Sequence, residues 1–215
     1  QLTRFNEIAR ELSSLSTKFA NNVLDATKAF TLIITSADDV AGFPDSLKQL
    51  AAQSYNSWDE KKPEVEATPE EGPWRISLDF PCFGPFMQHC RNRELREKVY
   101  RAFITRASEG EINNEPLIPE ILKLRKEKAH LLGYANFAEV SLAEKMAPSI
   151  DAVLEMEERL RTASFENGQQ DLKDLQEFAF AQGETEPIIQ WDFAFWSERL
   201  REQRFSYTDE ELRPY

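Results

Sequence analysis

Apolar side chains recur at Phe5, Ile8, Leu12, Leu15, Phe19 and Ala26, with Asn22 and Val23 sharing the intervening step. The spacing alternates three and four residues over about three heptads. It lays one continuous stripe along one face of an α-helix. A strand cannot use that pattern, because its side chains change face at every residue. The chain therefore opens on a long amphipathic helix that must find an apolar partner. A second chain in a coiled coil would satisfy it, with Asn22 as the register-setting polar residue. An antiparallel helix within the same chain is the favoured expectation.

After residue 30 the period changes. Phe30–Thr35 is short, β-branched and bounded by turn residues, which predicts a strand. Residues 36–39 resemble a helix start, Gly42–Pro44 a turn, and a second helix is expected over 45–54. Residues 60–73 hold three prolines and five glutamates and are expected as an exposed acidic loop. Trp74–Phe80 alternates and predicts a second strand, able to pair with the first as an antiparallel ribbon and ended by Pro81 and Pro85. A short helix is expected around Phe86–Cys90.

From Asn92 onward the pattern is helical. Asn92 can cap a helix presenting Leu95, Val99, Ala102, Phe103 and Arg106 on one face. Residues 110–116 form a turn. Leu117–Leu132 predicts a strong helix with Ile118, Ile121, Leu122, Ala129 and Leu132 inward, stopped by Gly133. Asn136 and Glu139 have capping-box spacing, for a helix ending near Pro148. Residues 150–182 give a long helix, or a pair broken near Asn167–Gly168. Trp191–Gln203 is an aromatic helix, and Thr208–Glu211 is a further capping box. No internal repeat is evident. The expected fold is all-α, multi-helical, with a minor two-stranded antiparallel β-ribbon.

Composition narrows the function. The 215 residues carry 26 Lys and Arg against 38 Asp and Glu, a net charge of −12. Nucleic-acid binding needs a basic footprint, which this balance lacks. No apolar run approaches the roughly 18 residues of a membrane span. Two cysteines, Cys82 and Cys90, make no disulfide framework. Free thiols are the main expectation and a Cys82–Cys90 bridge the lesser one.

Constellations that carry chemistry are sparse. Glu127 and His130 form a Glu-x-x-His pair on one helix face, as in di-iron bundles. The only other histidine, His89, has no glutamate three residues before it. Cys82, His89 and Cys90 fit no standard zinc spacing. A hydrolytic triad needs a histidine base, and His89 points away from its neighbour Cys90 on a helix. No glycine-rich phosphate loop is present. Glu155, Glu157 and Glu158 read as a solvated helix face. Trp191, Phe193, Phe195 and Trp196 form either a core cluster or a substrate-facing aromatic wall. The residues alone give no self-contained active site: no catalytic and no metal-ligating residue is assigned, and substrate-binding residues stay unassigned.

Several segments do carry a resemblance. Residues 124–138, Leu-Arg-Lys-Glu-Lys-Ala-His-Leu-Leu-Gly-Tyr-Ala-Asn-Phe-Ala, followed by Lys145-Met-Ala147, resemble the thimet oligopeptidase and oligopeptidase A family of zinc metallopeptidases. Residues 19–27, residues 95–108, Trp191-Asp192 and Glu211–Tyr215 match the same family in the same order. The resemblance covers nearly the whole chain and is closest to the oligopeptidase A branch. The departure is residues 56–73, whose loop looks longer than in bacterial members and fits a plant-type one.

The resemblance implies a mostly helical, two-lobed fold around a deep channel and hydrolysis of short peptides inside cells. It implies a zinc held by a His-Glu-x-x-His helix and a downstream glutamate, with the motif glutamate as base on the zinc-bound water. His89 and His130 cannot form that motif, and neither is followed by Glu. The zinc is therefore expected in the full-length parent and not in this chain. Both ends read as cut. Residues 1–215 are expected to be the N-terminal helical portion of a longer oligopeptidase, inactive alone and contributing part of the channel wall. Within it, 1–59 hold helices and the first strand, 60–73 the loop, and 74–215 the second strand and a helical array. The alternative is a stand-alone helical interaction or scaffold module, motivated by the stripe on 5–26. Expected partners are short peptides, with self-association through apolar faces on 191–203 and 5–26, and with no nucleic acid and no membrane. The expected compartment is the cytoplasm, with the chloroplast or mitochondrion as the alternative.

Overall fold

A computed structural model describes residues 1–58 and 65–206. Residues 60–64 of the acidic loop, the capping box at 208–211 and the family segment 211–215 lie outside the described residues. Among those described, the elements are α1 (Leu2–Ala29), β1 (Leu32–Ile34), α2 (Asp45–Asn56), β2 (Trp74–Ile76), α3 (Phe80–His89), α4 (Arg93–Ile104), α5 (Leu117–Leu131), α6 (Phe137–Leu142), α7 (Ile150–Ala181) and α8 (Phe193–Phe205). Single 3₁₀ turns occupy Asp38–Val40 and Gly110–Ile112. The fold is mostly helical with one small sheet, as the sequence predicts. The chain divides into two units, residues 1–26 with 107–171, and residues 27–106 with 172–215.

In the second of these units β1 and β2 pair antiparallel, with Leu32 opposite Ile76, Ile33 opposite Arg75 and Ile34 opposite Trp74. Both strands bury alternate residues, so one face of the ribbon feeds the core. That core gathers Leu32, Ile34, Phe43, Leu47, Tyr55, Trp74, Ile76, Phe86 and Val99 around the ribbon. The outgoing arm of the acidic loop joins it. The Asn56 amide donates to the Ala67 carbonyl and accepts from the Ala67 N–H, both at 2.8 Å, and Ala67 is buried.

The second strand is shorter than the alternation from Trp74 to Phe80 suggests. Pairing stops at Ile76, and Phe80 already begins α3. Pro81 sits in the first helical turn, where a missing N–H costs nothing. The N–H groups of Cys82 and Phe83 both reach the Asp79 carbonyl. Pro85 is accommodated inside the helix, so α3 covers the stretch assigned from sequence to strand end and break.

In the first unit the stripe of α1 is buried or half-buried along its length, with Ile8 fully enclosed. Its partner runs antiparallel. The Arg4 guanidinium holds Glu127 through two hydrogen bonds of 2.7 and 2.8 Å. The Asn22 amide donates to the Asn114 side chain at 2.8 Å, and Asn114 donates back to the Phe19 carbonyl. Asn22 thus fixes an intrachain helix pair.

The face of α5 differs from its reading in the sequence. Leu117, Leu124 and Ala129 are buried, whereas Ile118, Leu122 and Leu132 are exposed. Apolar residues wrap more than one side of this helix, and the side turned to α1 takes Leu117 and Leu124. Gly133 has φ +83° and stops the helix, with the Tyr134 N–H on the Ala129 carbonyl. Asn136 caps α6 by accepting from the Glu139 N–H at 3.1 Å, and the helix ends at Leu142, short of Pro148. Helix α7 passes Asn167–Gly168 without a break.

Candidate functional site

Polar chemistry among the buried groups converges on Asp192, in the unit of residues 27–106 and 172–215. Local sequence builds the cluster. The Asn92 side chain accepts from the N–H groups of Glu94 and Leu95, and donates to Asp39 at 2.9 Å, which fixes the start of α4. Arg93 and Arg96, three residues apart, then share a face of the helix. Asp192 precedes α8 and closes its own turn, its N–H on the Ile189 carbonyl and its carboxylate accepting from the Ile189 N–H.

Arg96 donates to Asp192 Oδ1 and Arg93 to Oδ2, each at 2.7 Å. Asp192 is 0% exposed and Arg96 1%. The remaining donors of Arg96 are placed too. They reach the carbonyls of Cys90, Arg91 and Trp191, and the guanidinium lies 4.3 Å from the Phe195 ring centre. Burial alone would push the Asp192 carboxyl up, but the bonds from Arg93 and Arg96 outweigh it and hold it below the usual carboxylate range. A carboxylate held ionised, with both oxygens on guanidinium groups, is a poor general base. The cluster ties α4 to the start of α8.

The aromatic residues of this region are packing elements. Phe195 and Trp196 are buried and meet edge to face at 5.0 Å, and Phe178 meets Trp196 edge-on at 6.1 Å. Trp191 lies against Tyr100 and under the Arg101 guanidinium. Of the two readings of this aromatic cluster, the packing of Phe193, Phe195 and Trp196 bears out the core one.

The candidate metal ligands are engaged elsewhere. Both Glu127 oxygens lie on Arg4, and His130 is exposed. His89 Nδ1 lies 3.1 Å from the Arg199 guanidinium. Cys82 and Cys90 are free, buried thiols. Burial raises both, Cys90 to about 11, so neither offers a thiolate at neutral pH. Among the described residues no group of three His, Cys, Asp or Glu side chains is placed to hold a metal ion. The described residues do not fit a zinc centre. Glu158 pairs with Arg161 at 2.6 Å on an open helix face, as expected of a solvated carboxylate.

Sequence reasoning found Trp191 and Phe195 but missed the Arg93–Asp192–Arg96 cluster. Its available signal was an arginine pair three residues apart behind a capping asparagine.

The model of peptidase family M3 matches residues 86–215, more than half of the chain. The chain is 51% identical to the organellar oligopeptidase A, chloroplastic/mitochondrial, of Arabidopsis thaliana, over 98% of this chain and 26% of that protein. It is 50% identical to the "Probable cytosolic oligopeptidase A" of the same plant, over 98% of this chain and 30% of the relative. It is 40% identical to oligopeptidase A of Escherichia coli, over 99% of this chain and 30% of that enzyme. The chain thus spans 26 to 30% of the length of these relatives.

Proposed function

The chain belongs to peptidase family M3, and from that premise we propose that it is the non-catalytic N-terminal portion of a zinc metalloendopeptidase that cleaves short peptides. In the whole protein it forms part of the wall of a substrate channel between two lobes. The observation that carries the reading is 40 to 51% identity to oligopeptidases A over nearly the entire chain, in a sequence whose two histidines cannot form His-Glu-x-x-His. The zinc and its ligands belong to the rest of the polypeptide, and no catalytic step is assigned to residues here. The internal packing of the α1 stripe speaks against the alternative of a stand-alone helical interaction module, because the surface that motivated it is already occupied.

Metal analysis and a fluorogenic short peptide test the proposal. The 215-residue chain is expected to hold no stoichiometric zinc and to show no chelator-sensitive cleavage. Stoichiometric zinc, or chelator-sensitive cleavage, from a chain of verified mass overturns it. A chimera of the cytosolic Arabidopsis relative, carrying this chain in place of its own matched segment, is expected to hydrolyse the peptide. The proposed compartment is the cytoplasm, with chloroplast or mitochondrion second. Near-equal identity to a cytosolic and an organellar relative leaves both open to test by tagging the full-length protein.

A further inference from the structure

Every side chain of α7 from residue 154 to 173 is exposed. Five large apolar ones stand out, Leu154 at 56%, Met156 at 47%, Leu160 at 62%, Phe165 at 52% and Leu172 at 47%. Most helical stability in proteins comes from packing an apolar face, and this stretch packs none. Gly168 weakens it by about 1 kcal/mol relative to alanine. A bare helix of this composition is incomplete as it stands.

The positions of these residues restrict what covers them. At about 100° per residue, Phe165 and Leu172 fall within about 20° of Leu154 around the axis, while Met156 and Leu160 fall about 200° and 240° away. Apolar side chains thus point to opposite sides. A second copy docking on one face would cover only one set. The net charge of −12 also opposes pairing of identical chains. The relatives supply a candidate of the right size, since 70% or more of their length lies outside the matched segment.

Resting on the reading above, we propose that residues 154–173 of α7 are an internal strut of the full-length oligopeptidase, enclosed on opposite sides by the remainder of the same polypeptide. The helix is then a core element of the parent enzyme, and its apolar residues are buried there.

Hydrogen exchange on the 215-residue chain and on the chimera described above tests this. In the chain alone, amides of 154–173 are expected to exchange fast. In the chimera they are expected to slow by about 100-fold or more. Leu160→Glu and Phe165→Glu are expected to abolish that protection in the chimera and to leave exchange in the lone chain unchanged. A folded, peptide-cleaving chimera in which 154–173 exchanges as fast as in the lone chain overturns the inference and leaves the family reading intact. Protection in the lone chain that grows with concentration, together with a dimer mass, assigns the face to a second copy and also overturns it. A chimera that neither folds nor cleaves peptide overturns the family-portion reading and the inference with it.

Discussion

The two units bury their apolar side chains by different means. Residues 27–106 and 172–215 surround a ribbon with helices, so Trp74, Ile76, Leu78 and Phe86 are enclosed from several directions. Residues 1–26 and 107–171 rely on a seam between α1 and α5, and bury mainly Ile8, Leu117, Leu124 and Ala129. A seam covers one face of each helix and leaves the others open. Ile118 and Leu122 on α5 are the result, and Leu154, Met156, Leu160 and Phe165 on α7 also stay open. A sheet with helices on it closes a core within few residues, whereas a helix array needs further helices to do so.

Several measurements can break or sharpen this contrast. The largest effect is expected at the buried ion cluster. Asp192→Leu strands Arg96 without its counter-ion and is expected to cost about 3–5 kcal/mol in denaturant unfolding. The double variant Arg96→Met with Asp192→Leu should recover most of that loss. Equal costs for the single and double variants would show that the cluster matters through shape and not charge.

In the seam unit, Asn22→Ala leaves the buried Asn114 without its donor and is expected to cost about 1–3 kcal/mol, read by far-ultraviolet circular dichroism. Tryptophans 58, 74, 191 and 196 all belong to the ribbon unit. Tryptophan fluorescence therefore follows that unit, while circular dichroism follows both. The fluorescence midpoint is expected at higher denaturant than the dichroism midpoint. Coincident midpoints would erase the contrast in stability.

Acid should act on the ribbon unit through Asp192. Its carboxyl is held low in the fold, so its stabilisation is complete above the ordinary unfolded value of about 3.9 and is lost as pH falls through the lower folded value. Fluorescence midpoints are expected to be flat from pH 7 to about 5 and to fall below about 4. Asp192→Asn should flatten that fall. The smallest effect is expected at Leu160→Glu in the lone chain, within about 0.5 kcal/mol, because the side chain is already in water.

Features governed by local chemistry were legible in the sequence. The stripe of α1, the Asn92 and Asn136 caps, the Gly133 stop and the ribbon all follow from spacing and conformational preference within a few residues. The misread features depend on distant neighbours. Apolar side chains on α5 mark more than one face, and only the position of α1 decides which of them is buried. Alternation through Phe80 predicts a longer strand, yet Pro81 favours a helix start there. The Asp192 cluster joins residues nearly a hundred positions apart, beyond the reach of any local pattern. The absence of a histidine motif was readable at once, because it needs only two residues at fixed spacing.

The amide handshake between Asn56 and Ala67 has an evolutionary consequence. It clamps the chain on both sides of residues 57–66, which hold the first part of the acidic stretch. Closing a longer flexible loop costs only about 0.6 kcal/mol per doubling of its length. Lineages of this family can therefore lengthen, shorten or re-charge the stretch between the two clamped residues with little penalty to the strands. Variation among relatives should accumulate there, and an inserted tag or epitope between them should leave the ribbon register unchanged.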